Sequence, residues 1–146
     1  DAAAMPLLAG LPAQAVRFGM PPVAVPTVDG TLAAGDTVRV GSLALDVRAT
    51  PGHAPGHVTL VGPSVRYEGR TAPIAFCGDV IFLGSIGRTD LPGGDYATLL
   101  GVIVDEILTL DDATVLLSGH GPATTVGHER RTNPFVLDWL ARGAVG

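Results

Sequence analysis

The apolar residues of this chain change period once, and that switch constrains the fold more than any other feature. Before it the spacing is two. In Leu43-Ala-Leu-Asp-Val-Arg-Ala49, the residues Leu43, Leu45, Val47 and Ala49 share one side while Asp46 and Arg48 take the other, the alternation of a half-buried strand. From Asp95 onward, Tyr96, Leu99, Leu100, Ile103, Ile107 and Leu108 fall at i, i+3, i+4, i+7, i+11 and i+12. That is the stripe of an amphipathic helix, and Asp95 is suited to be its N-cap. Strands followed by helices on outer faces predict an α/β layered sandwich.

The remaining punctuation fills in this outline. A short strand ends at Val40, Gly41-Ser42 turns the chain, and further strands are expected over residues 57–61, 65–70 and 74–77, the last two joined across 69–73. Residues 114–117 read as a buried strand. Asn133-Pro134 opens a final short helix, with Asn as cap and Pro in the first turn, and its Phe135, Leu137, Trp139 and Leu140 are expected to pack. Residues 1–20 have weak helical character broken at Pro12, and run into Pro21-Pro22-Val-Ala-Val-Pro26, an extended surface connector. No internal repeat and no second domain is visible, so residues 1–146 are read as a single domain, with 1–34 a connector and helix remnant.

Composition narrows the function classes. A net charge of -5 offers no general attraction to nucleic acid or to an anionic membrane, and the nine basic residues, all arginine, are scattered. No apolar run reaches the roughly 18 residues of a membrane span, and the first residues do not form a signal peptide. Cys77 is the one cysteine, so neither an internal disulfide nor a Cys-based zinc cluster can form. This fits a reducing, cytoplasmic setting. Beside Asp79, Cys77 is expected to point into the core as a small apolar side chain.

Chemistry concentrates in three loops at strand ends: Thr50-Pro-Gly-His53-Ala-Pro-Gly-His57, Cys77-Gly78-Asp79, and Ser118-Gly119-His120-Gly121-Pro122. Each sets an imidazole or carboxylate beside glycine, which lets backbone approach closely, while the strand fixes the donor atom. Two His and one Asp are ligand types for zinc, iron or manganese.

These segments, with Phe76-Cys-Gly-Asp79, Gly84-Ser-Ile-Gly-Arg-Thr-Asp-Leu-Pro-Gly-Gly-Asp95 and the run from Glu129-Arg-Arg-Thr to Asn133-Pro134, resemble the metallo-β-lactamase superfamily, in particular its glyoxalase II-like thioester hydrolases. The resemblance covers most of the chain from about residue 35. It implies an αββα sandwich of which 35–146 is the second half, and two divalent metals, zinc first, held by seven ligands. His53, Asp79 as the bridging carboxylate, and His120 match three of them. The other four belong to an H-x-H-x-D-H loop, whereas the four histidines here are 53, 57, 120 and 128. The expectation is therefore a C-terminal portion of the fold, inactive alone, with one sheet edge unpaired and an apolar layer uncovered.

For the intact protein the resemblance implies hydrolysis of a small-molecule thioester by a metal-bridging hydroxide, with no Ser or Cys nucleophile. His57 is expected to orient a neighbour by hydrogen bonding. Arg88 stands where glutathione-using relatives carry a basic residue, so it either holds a substrate carboxylate or pairs with Asp90 or Asp95; the tyrosine those enzymes use is replaced by Asp90. His128 takes no catalytic role and cannot complete a capping box with Thr125. Two alternatives remain open. A mononuclear-iron persulfide dioxygenase shares Gly87-Arg-Thr-Asp90 and the later Gly-Asp, but follows its last histidine with Asp-Tyr rather than Gly121-Pro122. The other alternative is an inactive remnant.

Overall fold

The computed structural model describes residues 1–143. β1 (Thr37–Val40) and β2 (Leu43–Ala49) form the expected hairpin, Val40 opposite Leu43. β3 (Val58–Tyr67) and β4 (Arg70–Gly78) form a longer one. The strands expected at 57–61 and 65–70 are thus one strand. It passes Pro63 at a register shift between Gly62 and Ser64, where a residue lacking N–H is tolerated. The turn is Glu68-Gly69, with φ of 45° and 82°, a type I′ pair whose twist matches the flanking strands. Residues 70–73, expected as a joint, are ladder.

After β4 come a small hairpin, β5 (Ile81–Phe82) with β6 (Ser85–Ile86), and then α3 (Tyr96–Val102). The chain returns as β7 (Val115–Ser118), parallel to β4, and β8 (Thr124–Thr125). The six-stranded, mainly antiparallel sheet has the order β1-β2-β3-β4-β7-β8. α4 (Val126–Thr132) and α5 (Pro134–Gly143) follow.

One sheet face, through Ala75, Cys77 and Leu116, packs against Leu99, Leu100, Ile103 and Ile107, all fully buried; each such side chain contributes roughly 1.5–3 kcal/mol. Asp95 caps α3 as expected, accepting from Thr98 N–H at 2.7 Å. The helix then widens into a π turn over Ile103–Ile107, with Leu108 N–H donating to Ile103 C=O at 2.8 Å. On an unbroken α-helix Leu108 would lie roughly 120° around from Tyr96. A wider turn advances less per residue and swings Leu108 back onto the buried stripe.

Three expectations need correction. The N-terminal break falls at Gly10, between α1 (Met5–Ala9) and α2 (Leu11–Arg17). Pro12 sits in the first turn of α2, where its missing N–H leaves nothing unpaired. In α5 the fully buried residue is Val136, with Trp139 partly buried; Phe135, Leu137 and Leu140 are exposed. Finally, the 114–117 strand keeps Thr114, Val115 and Leu116 buried but leaves Leu117 half-buried. Residues 20–33 form no element and are almost wholly exposed. Among the described residues no helix is long and apolar enough to cross a membrane.

Candidate metal centre

Topology gathers the three loops. β4 and β7 are parallel, with Gly78 beside Ser118, so Asp79 and His120 leave the same sheet edge. β3 is antiparallel to β4, with Leu60 opposite Phe76, so the 50–57 loop at its start emerges there too. This carboxyl end of parallel strands is where open α/β sheets place ligands.

Each donor is held from behind. Thr50 is buried, and its hydroxyl meets His57 Nδ1 and Thr59 Oγ1, both at 3.0 Å. Gly52 C=O accepts from Asp95 N–H at 2.8 Å, tying the loop to the start of α3. His53 Nδ1 lies 2.8 Å from the Arg88 carbonyl. A carbonyl only accepts, so Nδ1 carries the proton and Nε2 of the neutral ring is left with its lone pair. That Nε2 is 3.8 Å from Asp79 Oδ2, and His120 Nε2 is 3.6 Å from the same oxygen. His120 stacks on Phe82 with ring centres 4.6 Å apart.

Those separations test whether metal fits. Both exceed hydrogen-bond length, and both are within a few tenths of an ångström of the ~3.3–3.5 Å that donors bonded at ~2.0–2.2 Å span across a tetrahedral ion. One carboxylate oxygen flanked by two imidazoles is a donor set of the type that zinc, iron or manganese takes. Yet among the described residues no group of three or more His, Cys, Asp or Glu side chains gathers tightly enough to hold an ion by itself. The set therefore fits metal as part of a larger ligand shell.

Two glycines make room for Asp79. A Cβ on Gly119 would overlap Asp79 Oδ1, and one on Gly87 would overlap the Asp79 carbonyl oxygen. His57 packs beside the same turn: a Cβ on Gly78 would come within 2.6 Å of its Nε2. Burial, then the neighbouring His53, lower the His57 pKa against the opposing pull of Asp79, so His57 is held toward its neutral form.

Arg88 takes the ion-pair alternative. Its Nε and Nη2 donate to the two Asp90 carboxylate oxygens at 2.8 and 2.9 Å, and that hydrogen bonding holds the Asp90 carboxyl down to about 2. Its backbone carbonyl, not its guanidinium, touches His53. Cys77 is buried as expected, and burial pushes its thiol up to about 11. Half of the capping box survives at α4, where Thr125 Oγ1 accepts from His128 N–H.

Sequence reasoning overlooked Glu129 and Phe82. Glu129 is fully buried. Its carboxylate accepts from Thr124 Oγ1 at 2.5 Å, Asn133 Nδ2 at 2.9 Å and Gly84 N–H at 3.0 Å. It thereby anchors the β5–β6 hairpin, which carries Phe82 toward His120. The available signal was an acid four residues before Asn133, a helical hydrogen-bonding distance. Phe82 had none, because the two-residue strands around it are too short to show a period.

A family model described as the metallo-beta-lactamase superfamily matches residues 3–120. The chain is 39% identical over 131 residues to hydroxyacylglutathione hydrolase GloC of Haemophilus influenzae, covering 89% of this chain and 58% of that protein. It is 46% identical over 99 residues to the probable metallo-hydrolase YqgX of Bacillus subtilis, covering 68% and 44%. The chain thus spans about half the length of the curated relatives it matches. Among solved structures it resembles TTHA1623 in a di-iron-bound form, with 37% identity and a TM-score of 0.72 over 91% of this chain and 61% of that one. It also resembles ETHE1 from Myxococcus xanthus, with 29% identity and a TM-score of 0.63 over 84% and 54%. Sheet order, strand-end loops and family match agree: the chain belongs to the metallo-beta-lactamase superfamily.

Proposed function

We propose that the protein is a metal-dependent hydrolase that cleaves small-molecule thioesters, with 35–146 forming the second half of its sandwich and 1–34 a connector and helix remnant. The observation that carries this reading is Asp79 Oδ2 lying between two imidazole Nε2 atoms, at 3.6 and 3.8 Å, beside a cleft of about 420 Å³ that His53, Asp79, Phe82, Arg88 and His120 help to line. The name of GloC supports a thioester, and the di-iron form of TTHA1623 supports a pair of ions; zinc is the first choice for this donor set.

His53, Asp79 and His120 would contribute three of the ligands. Bound ions supply Lewis acidity, which lowers the pKa of water toward neutrality and polarises a carbonyl. The chain's own task is orientation. The Arg88 carbonyl sets the His53 tautomer, Phe82 restrains His120, and Gly119 leaves the space that the Asp79 carboxylate fills. His57, held toward its neutral form by burial and packed against Gly78, supports the turn into Asp79. Cys77 is no nucleophile, since its thiol stays protonated near neutral pH.

The test is metal content and turnover of the gene product that contains this chain, compared with Asp79→Asn and His120→Ala. Two bound divalent ions with thioester cleavage, lost by roughly 100-fold or more in either variant, support the proposal. One iron with oxygen consumption on a persulfide would transfer the assignment to the dioxygenase alternative. Absence of both activities would end the enzyme reading.

A further inference from the structure

Two openings meet at His53. One is the polar cleft around Asp79 and His120. The other is a groove of about 490 Å³, walled by Leu7, Leu8 and Leu11 of α1 and α2 and by Leu91 and Pro92 of the loop before α3, with His53 and Ala54 between them. Its size lies within the roughly 300–1,000 Å³ of small-molecule sites. Its polar lining groups are Gln14 and, at the junction with the polar cleft, His53; no Asp, Glu or Arg lines it.

Both walls rest on the loop that carries His53. A Cβ on Gly56 would come within 2.6 Å of Ala4 N, just ahead of α1. A Cβ on Gly93 would come within 2.6 Å of Pro55. Leu7 and Leu91 each remain more than two-fifths exposed, so apolar surface stays uncovered beside an ionisable cleft.

We infer that this groove receives the acyl part of the substrate, and that this part is an uncharged hydrocarbon chain. The inference rests on the hydrolase reading above. A thioester carbonyl placed beside Asp79 has two substituents to dispose of. A charged peptide thiol such as glutathione finds no partner among the leucines, whereas a hydrocarbon needs none. The other opening is the polar cleft, so the thiol portion lies on that side and the acyl chain on the leucine side. The same argument sets the substrate apart from small hydroxyacyl groups, whose hydroxyl would be buried along leucine walls, with Gln14 and His53 the only polar side chains lining the groove.

The test separates this inference from hydrolysis by using ligands that cannot be cleaved. S-ethyl, S-butyl, S-hexyl and S-octyl N-acetylcysteamine are titrated into the protein while leucine methyl resonances are followed. The Leu7, Leu8 and Leu11 methyls should shift saturably, and Kd should fall by about fourfold for each methylene buried. Leu8→Asp should abolish that dependence. Gln14→Glu, at an exposed position, places a charge at the groove without touching the core and should weaken octyl binding at least tenfold while Leu116 resonances stay in place. Kd values independent of chain length, shifts confined to other residues, or full octyl affinity in Gln14→Glu would each overturn the inference. Cleavage of an octanoyl thioester is scored separately on the gene product that contains this chain, with metal present. Ligand binding without cleavage sinks the hydrolase reading, and cleavage without chain-length dependence sinks the groove alone.

Discussion

Replacing Gly119 by alanine should damage the metal centre while leaving the fold intact. The added methyl would stand closer to Asp79 Oδ1 than 3.0 Å, a separation real Cβ atoms essentially never show, and 3.5 Å from the Gly78 carbonyl carbon, an ordinary contact. The clash is thus with the free end of one side chain. Gly119 needs no left-handed backbone, so alanine adds no strain of its own. To regain ordinary contact the carboxylate oxygen must retreat by more than about 1 Å, a misplacement that costs on the order of 10²-fold in rate and roughly 10- to 100-fold in metal affinity. Stability should change by about 1 kcal/mol or less, because rotation of an incompletely buried carboxylate relieves the overlap. Gly87→Ala is the control. There the methyl meets the Asp79 backbone carbonyl and approaches His53 Cβ at 3.3 Å, so backbone must move, at a cost of roughly 1–3 kcal/mol or more. Competition with a chromophoric zinc chelator and urea unfolding on the same samples give both quantities. Gly119→Ala with undiminished zinc affinity would refute the idea that this glycine exists to seat Asp79.

Three further outcomes follow from the packing. Glu129→Ala should destabilise the protein by roughly 2 kcal/mol or more in urea unfolding, since it removes the acceptor of the buried Thr124 hydroxyl, at about 1–3 kcal/mol, together with one acceptor of Asn133 Nδ2 and that of the part-buried Gly84 N–H. Glu129→Gln should cost much less, because its oxygen still accepts from Gly84 and Asn133 and its amide can donate to the Thr124 hydroxyl. Iodoacetamide at about pH 8 should alkylate native Cys77 on the order of a hundredfold or more slower than the unfolded chain, given a thiol pKa raised from 9.0 to about 11 plus its burial; equal rates would mean the thiol is accessible. Asp95 provides the pH test. Hydrogen bonding from Thr98 holds its carboxyl below 3.8, so its support for α3 is present above that value and is lost as pH falls through the lowered one. Asp95→Asn, which caps without ionising, should therefore lose less Tm than the parent on acidification below about pH 4.

What the sequence determined by itself is local and periodic. The β1–β2 hairpin, the capped helix from Asp95, the Asn133-Pro134 helix start and the inward-facing Cys77 follow from side-chain alternation, caps and hydrophobicity, which act over a few residues. Motif context identified His53, Asp79 and His120 as one set, and the structure places all three loops on a single sheet edge. Tertiary structure decided the rest. Whether Pro63 ends a strand or rides a bulge depends on the partner strand. Leu137 and Phe135 face solvent because α5 is rolled so that Val136 and Trp139 meet the core. Arg88 is claimed by Asp90, two residues away, and only the folded loop turns its carbonyl to His53. Glu129 and Phe82 matter through neighbours 45 and 38 residues distant in the chain, a separation no local pattern encodes, because burial and charge satisfaction are settled by which elements meet.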